Sequence, residues 1–218
     1  MPPILLGLTG HANAGKDTVA SILAVHAGAS VLAFADGLYQ EVGQAFDVSP
    51  SAVLADRATK EHPMSCLALH RCMDADFVAA LPEHIQAEPF RVRSPRNILQ
   101  WWGTEYRRAQ NTNYWTRAAE LSIRTIQANP NPPAGIVVTD VRFPNEADLI
   151  RSLGGFIWKI QRPGAEPAPS GHASEVSGDE FKPDLTILNL HDIRHLQGLV
   201  LQLWQELQAS QRIAKGES

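Results

Sequence analysis

The chain has 218 residues, of which 44% are hydrophobic and 19% charged, a composition that supports one substantial folded core and excludes a low-complexity polymer. A net charge of −4 and a pI near 6.0 give no clustered basic footprint, which argues against a polymeric nucleic acid as partner. Two cysteines, Cys66 and Cys72, are too few for a disulfide scaffold, and no apolar run approaches the roughly 20 residues that span a bilayer. With no charged n-region or cleavage pattern ahead of Ile4, the expectation is a cytoplasmic protein with reduced thiols and no membrane partner.

Ile4-Leu-Leu-Gly-Leu8 reads as a buried strand, and Gly10-His-Ala-Asn-Ala-Gly-Lys-Asp-Thr18 follows it directly. Val19, Ile22, Leu23 and Val25 then fall at helical spacing, with Gly28 as the stop. Strand, glycine loop and helix in this order form a cradle for a nucleoside triphosphate: backbone N–H groups turn inward and Lys16 reaches the phosphates. The familiar pattern places Ser or Thr after the lysine, whereas this chain has Asp17 there and Thr18 one place later.

Ala29 to Phe34 is expected as a second buried strand, with a helix from about Gly37 to Phe46. Asp36 is then either a substrate contact at the ligand-binding edge of the sheet or a helix N-cap. From Val48 to Pro95 the pattern is irregular and proline-rich, which predicts a mainly helical inserted lobe, reaching to about residue 130 once the next two helices are counted. Those helices open at Pro95 and near Asn113 and stop at Asn129-Pro-Asn-Pro-Pro133. Ile136-Val-Val-Thr-Asp140 reads as a strand ending in a carboxylate, followed by a helix over Glu146 to Leu153 and a strand over Phe156 to Ile160. A polar loop over about 163–184 precedes the strand Leu185 to Leu188. Asp192 caps the last helix, whose stripe Leu196, Leu199, Val200, Leu203, Trp204 and Leu207 faces the core, and the tail beyond Gln208 is expected to fray. This alternation implies an α/β fold with a parallel sheet covered on both faces.

Phosphoryl transfer needs positive charge around the moving group and a metal bridging the phosphates. Lys16 supplies charge, Thr18 is placed for the α-phosphate, and Asp17 and Asp140 are the Mg²⁺ candidates, with a helix-dipole role as the alternative for Asp17. Arg142 suits a bidentate phosphate contact, and Glu146 either orients that arginine or holds a substrate hydroxyl. Arg96 and Gln100, four apart, suit a monophosphate and a base edge, with Thr104, Arg107 and Arg108 following; a solvated face is the alternative for the last two. Trp101, Trp102 and Trp115 are either base-stacking platforms or core residues.

Four blocks together resemble the phage deoxynucleoside monophosphate kinases: Gly15-Lys-Asp-Thr18; Arg96 to Trp115 with Gln100, Gly103-Thr104 and Tyr114-Trp115; Asp140-Val-Arg142 with Glu146; and Arg162-Pro-Gly164 with His172-Ala-Ser-Glu175 and Asp184 to Asn189. The resemblance covers most of the chain. It implies a P-loop kinase of three α/β/α layers with a mostly parallel sheet, a helical substrate-binding insertion over about 48–130 and a lid over about 163–184. It further implies an ATP:dNMP phosphotransferase that uses Mg²⁺, is often dimeric and supplies dNDPs for phage DNA synthesis. Asn13, Ala14, Gly15, Lys16, Asp17 and Thr18 would hold ATP, with Lys16, Asp140 and Arg142 catalytic. Asp36, Arg57, Arg96, Gln100, Thr104, Arg108, Trp115, Glu146 and Glu175 would face the acceptor. The chain departs from the pattern near Tyr39, where members often carry a lysine, and in its lid, which holds Lys182 but no arginine. Arg162 or Arg142 would replace the lid arginines. The alternatives left open are another acceptor, such as a dephospho-coenzyme A-like metabolite or a modified base in DNA, and a nucleotide-binding module without catalysis.

Overall fold

The computed structural model describes residues 3–56, 58–164 and 180–214. Five strands form one sheet: β1 (Ile4–Thr9), β2 (Ala29–Leu32), β3 (Gly135–Val138), β4 (Phe156–Gln161) and β5 (Leu185–Leu188), in the order β2-β3-β1-β4-β5. Every neighbouring pair is parallel. β1 therefore lies at the centre, which explains its uninterrupted apolar run: both of its faces are covered. Ile4, Leu6 and Leu8 pack toward α1 (Lys16–Ala27) and the C-terminal α8 (Ile193–Ala214), with Val19, Leu23, Trp158, Ile160, Leu196, Val200 and Trp204 in the same core. On the opposite face Gly7 lies against Ile157, Val141 and Ile150, the last from α7 (Pro144–Ser152). At about 1.5–3 kcal/mol for each large side chain buried, this layering is the main stabilising term of the sheet.

Several expected boundaries move. β3 ends at Val138, so Asp140 lies two residues beyond the strand rather than at its last position. α7 begins at Pro144, where the ring fits the first helical turn, and stops before Gly154-Gly155. α8 continues past Gln208 to Ala214. Its start is as expected, since the Asp192 carboxylate accepts from the His195 N–H at 2.9 Å.

The chain divides into two compact units, one of residues 1–34 and 120–218, the other Ala35–Ala119. The second unit holds α2 (Ala35–Phe46), α3 (Ala75–Ala80), α4 (Glu83–Gln86) and α5 (Pro95–Gln100), with short 3₁₀ and π turns between them. α5 widens without a break into π turns over Trp101–Arg108, and α6 (Tyr114–Gln127) leads out of the unit. Its core is separate from that of the sheet and includes Val42, Phe46, Leu54, Phe77, Ile98, Trp102, Tyr106 and Trp115. Among the described residues the extended pairing in this unit is one isolated bridge, Met64 with Arg93.

Candidate active site

The loop between β1 and α1 is shaped by three residues with positive φ: Gly10 at 134°, Asn13 at 61° and Gly15 at 111°. Glycine is required at two of them on separate grounds. A Cβ on Gly10 would fall 2.2 Å from the Ile160 carbonyl oxygen, and one on Gly15 would fall 2.7 Å from Asn189 Nδ2. Asn13 is a residue type that tolerates the left-handed region. Gly15 is the N-cap of α1 and offers no side-chain acceptor, so no side chain at that position covers the first-turn N–H groups. Lys16 Nζ donates to the carbonyls of Gly10 and His11, at 2.7 and 2.9 Å, which holds the ammonium across the loop. Asp17 is exposed in the first turn of α1, and Thr18 is half-buried beside it.

From β5, Asn189 locks this loop in place. Its Nδ2 donates to Ala14 O at 3.0 Å and its backbone N–H donates to Gln161 O at 2.7 Å, while the side chain is 9% exposed. The sequence signals are an amide residue at the C-terminal end of an edge strand and its place in the block Asp184 to Asn189.

Two residues past β3, Asp140 accepts from the Phe34 N–H at 2.7 Å and so ties the segments that follow β2 and β3 together. The Val141 N–H donates to Leu8 O at 3.1 Å, which brings Asp140 and Arg142 to the same sheet edge as the loop. Arg142 is exposed. Glu146 is 2% exposed, and its Oε2 accepts from the backbone N–H groups of Arg142 and Phe143, at 2.8 and 3.1 Å. Both contacts are to the backbone at Arg142 and Phe143. These contacts fix the turn at the start of α7.

In the second unit Asp36 lies in the first turn of α2 rather than at a strand end. Arg96, Gln100, Thr104 and Arg108 recur at four-residue steps along α5 and its π extension. Arg96 pairs with Glu61 through Nε. Trp102 and Trp115 are buried at 1% and 4%, and the Trp115 indole N–H donates to Gly103 O at 3.1 Å, so both serve the core of the unit. Arg107 is not a solvated side chain. Its Nε donates to Glu41 at 2.7 Å and its guanidinium lies 4.5 Å from the Tyr106 ring centroid and 5.0 Å from that of Tyr114. Glu41 also accepts from Trp102 Nε1 at 2.8 Å and from the Tyr114 hydroxyl at 2.5 Å. Burial by itself lowers the Arg107 pKa, but the bond to Glu41 and its charge outweigh that and raise it. Burial raises the Tyr114 pKa, and Glu41 adds to the shift. Arg57, Glu175 and most of the expected lid lie outside the described residues.

A protein of Acanthamoeba polyphaga mimivirus, "Putative deoxynucleotide monophosphate kinase", is 30% identical over 207 residues, covering 91% of this chain and 94% of the viral one. The chain belongs to the deoxynucleotide monophosphate kinase family. No family model matches the sequence. The expected phage origin is the narrower part of the resemblance; membership rests on a relative from a virus of amoebae. The fold agrees with that of P-loop kinases, an all-parallel five-stranded sheet with helices on its faces. No helix among the described residues is long and apolar enough to cross a membrane.

For a kinase of this family the donor set at the sheet edge can be compared with what a nucleotide and its metal need. The curled loop and the start of α1 present backbone N–H groups and one ammonium, which suit a polyphosphate. Asp17 and Asp140 offer hard carboxylate oxygens. Among the described residues no three His, Cys, Asp or Glu side chains gather into a metal-type cluster. Carboxylate oxygen is the donor type that Mg²⁺ takes, one or two from the protein with phosphate oxygens and water completing its shell.

Proposed function

We propose that the protein transfers the γ-phosphoryl group of ATP to a deoxynucleoside 5′-monophosphate, giving ADP and a dNDP. A phosphate oxygen of the acceptor attacks the γ-phosphorus, and the bond from that phosphorus to the β,γ-bridging oxygen breaks, with ADP as leaving group. The observation that carries this reading is the loop Gly10 to Thr18, curled by three positive-φ residues into an α1 start without a side-chain cap, in a chain of this kinase family.

In this reading Asn13, Ala14, Gly15, Asp17 and Thr18 bind the ATP phosphates, and Lys16 exchanges its contacts to Gly10 O and His11 O for phosphate oxygens. Asp17 and Asp140 hold Mg²⁺, which when bound neutralises charge between the phosphates. Arg142 reaches the transferring group, and Glu146 keeps it in place by fixing the turn. Asp36, Arg57, Arg96, Gln100, Thr104, Arg108 and Trp115 serve the acceptor, the last as a support behind the binding surface. Glu175 also serves the acceptor, and two copies of the chain form a dimer. The dNDP product supplies DNA precursor synthesis in the cytoplasm.

A coupled ADP-release assay over the four dNMPs tests the reading. Lys16→Ala should lower kcat/KM by roughly a thousandfold or more, because its charge acts mainly on the transferring group. Absence of turnover with every natural and base-modified dNMP would sink it.

A further inference from the structure

The arginines of the second unit whose contacts have just been described are paired with acids: Arg96 with Glu61, Arg107 with Glu41. Nearby Arg91 and Arg93 both reach Glu88. Lys60 is different. Its Nζ lies 3.3 Å from the Tyr39 hydroxyl and 5.7 Å from the centroid of the same ring. Among the described residues no carboxylate comes within ion-pair distance of it, and the side chain is half-buried.

The chemistry of this pair is one-sided. An ammonium has donors and no acceptor, so the Tyr39 oxygen must be the acceptor of the contact. The phenolic proton is then left as a donor, and among the described residues it meets no acceptor. Two donors, one fully charged, thus share a half-buried position, and among the described residues no anion receives either. The complement is an anion with several oxygens.

The position is also fixed by backbone pairing rather than left to a flexible loop. The Arg96 N–H donates to Lys60 O at 3.0 Å, and the Met64 N–H donates to Arg93 O at 2.9 Å, so residues 60–64 run antiparallel beside 93–96. Lys60 is thereby moored at the start of the helix that carries Gln100, Thr104 and Arg108. Tyr39 is held from the other side, on α2, where it packs on the core that contains Val42 and Phe46.

We propose that Lys60 and Tyr39 form the subsite for the 5′-phosphate of the acceptor mononucleotide, the ammonium and the phenolic O–H each donating to a non-bridging phosphate oxygen. The assignment rests on the acceptor reading above and names the residues that recognise the acceptor's charge. A compact, strongly hydrated point charge suits a phosphate that must later shift as its oxygen attacks. The ring contact is a weak holding interaction, so exchanging it for a phosphate costs little.

Titration calorimetry on the full-length protein tests this, with wild type, Lys60→Met, Lys60→Arg and Tyr39→Phe against the four dNMPs and the corresponding deoxynucleosides. The wild type should bind at least one dNMP more tightly than its nucleoside. Lys60→Met should weaken dNMP binding by roughly tenfold to hundredfold and leave nucleoside binding unchanged, as expected for loss of a charge-assisted bond. Tyr39→Phe should lose roughly threefold to tenfold, and Lys60→Arg should recover most of the affinity. In steady-state assays the KM for dNMP should rise while the KM for ATP stays. Should Lys60→Met fail to fold, Tyr39→Phe decides, since it keeps the ring and removes only the donor. If both variants keep the full preference for dNMP over nucleoside, the subsite is wrong and the acceptor reading survives. If the wild type shows no such preference for any dNMP, both fall together.

Discussion

Glu41 receives donors from three side chains, Trp102, Arg107 and Tyr114, and so joins α2, the π turns and the start of α6 through one carboxylate. Replacing it by Gln keeps an acceptor oxygen but leaves the Arg107 guanidinium, 20% exposed, with the more distant Asp74 carboxylate, 4.0 Å away, as its counter-charge. Glu41→Gln should cost about 1–3 kcal/mol, below the figure for a fully buried pair because water reaches both partners, and urea unfolding followed by tryptophan fluorescence would measure it. Three protons nearby are also held more tightly in the folded chain than in the unfolded one. Burial raises the Tyr106 and Tyr114 hydroxyls and pushes the Cys72 thiol up from 9.0 to about 11. A raised pKa means that the folded state binds protons the unfolded state has released. The resulting stabilisation is complete below the unfolded values and is lost as the pH rises through the folded ones. Melting temperature should therefore decline from about pH 9 upward, and a Tyr106→Phe, Tyr114→Phe, Cys72→Ser variant should decline less over the same range. An equal slope in both proteins counts against the assignment of these groups.

At the scale of elements, β5 does more than complete the sheet. Asn189, just past its end, donates to Ala14 O, and Asp184, just before its start, accepts from the Ile157 N–H at 2.7 Å. The strand is pinned at both ends, and its far end holds the loop of Gly10 to Thr18. Asn189→Ala should cost about 1–2 kcal/mol and raise the KM for ATP. Asn189→Asp should be worse, since a carboxylate there meets the Ala14 carbonyl with a second acceptor. Unchanged ATP kinetics in both variants would show that the loop keeps its shape unaided. β1, α1, β5 and α8 are legible in the sequence because their signals are local: apolar runs, helical spacing, Gly28 and Asp192. The bond between Asn189 and Ala14 spans 175 residues and that between Glu41 and Tyr114 spans 73, and no periodicity encodes either. The apolar run that leads into Asp140 marks its sheet edge, but its bond to Phe34 depends on how β2 and β3 end together. The second unit is least legible in the sequence, because turns of three to five residues such as Ser65–Leu67 and Pro50–Leu54 carry no repeat. Trp115 shows the same limit: its packing against Gly37 and its bond to Gly103 O come from pairings that spacing does not reveal.

At the scale of the whole molecule, the two cores differ in construction. β1 and β3 each have a hydrogen-bonded strand on both sides, whereas much of the second unit is built from single turns. Amide exchange should follow that difference: slowest in β1 and β3, and faster by orders of magnitude across residues 50–94. Mass spectrometry of exchanging peptides would check it, and equal protection in both regions would mean one cooperative unit. The second unit is also one unbroken stretch, Ala35 to Ala119, entered directly after Phe34, whose N–H is held by Asp140. A lineage, or a designer, can therefore exchange that stretch as a single cassette through two junctions. The loop at Gly10 to Thr18 lies outside that stretch, so in the proposed reading most acceptor residues and the ATP-binding residues belong to separate segments of the chain.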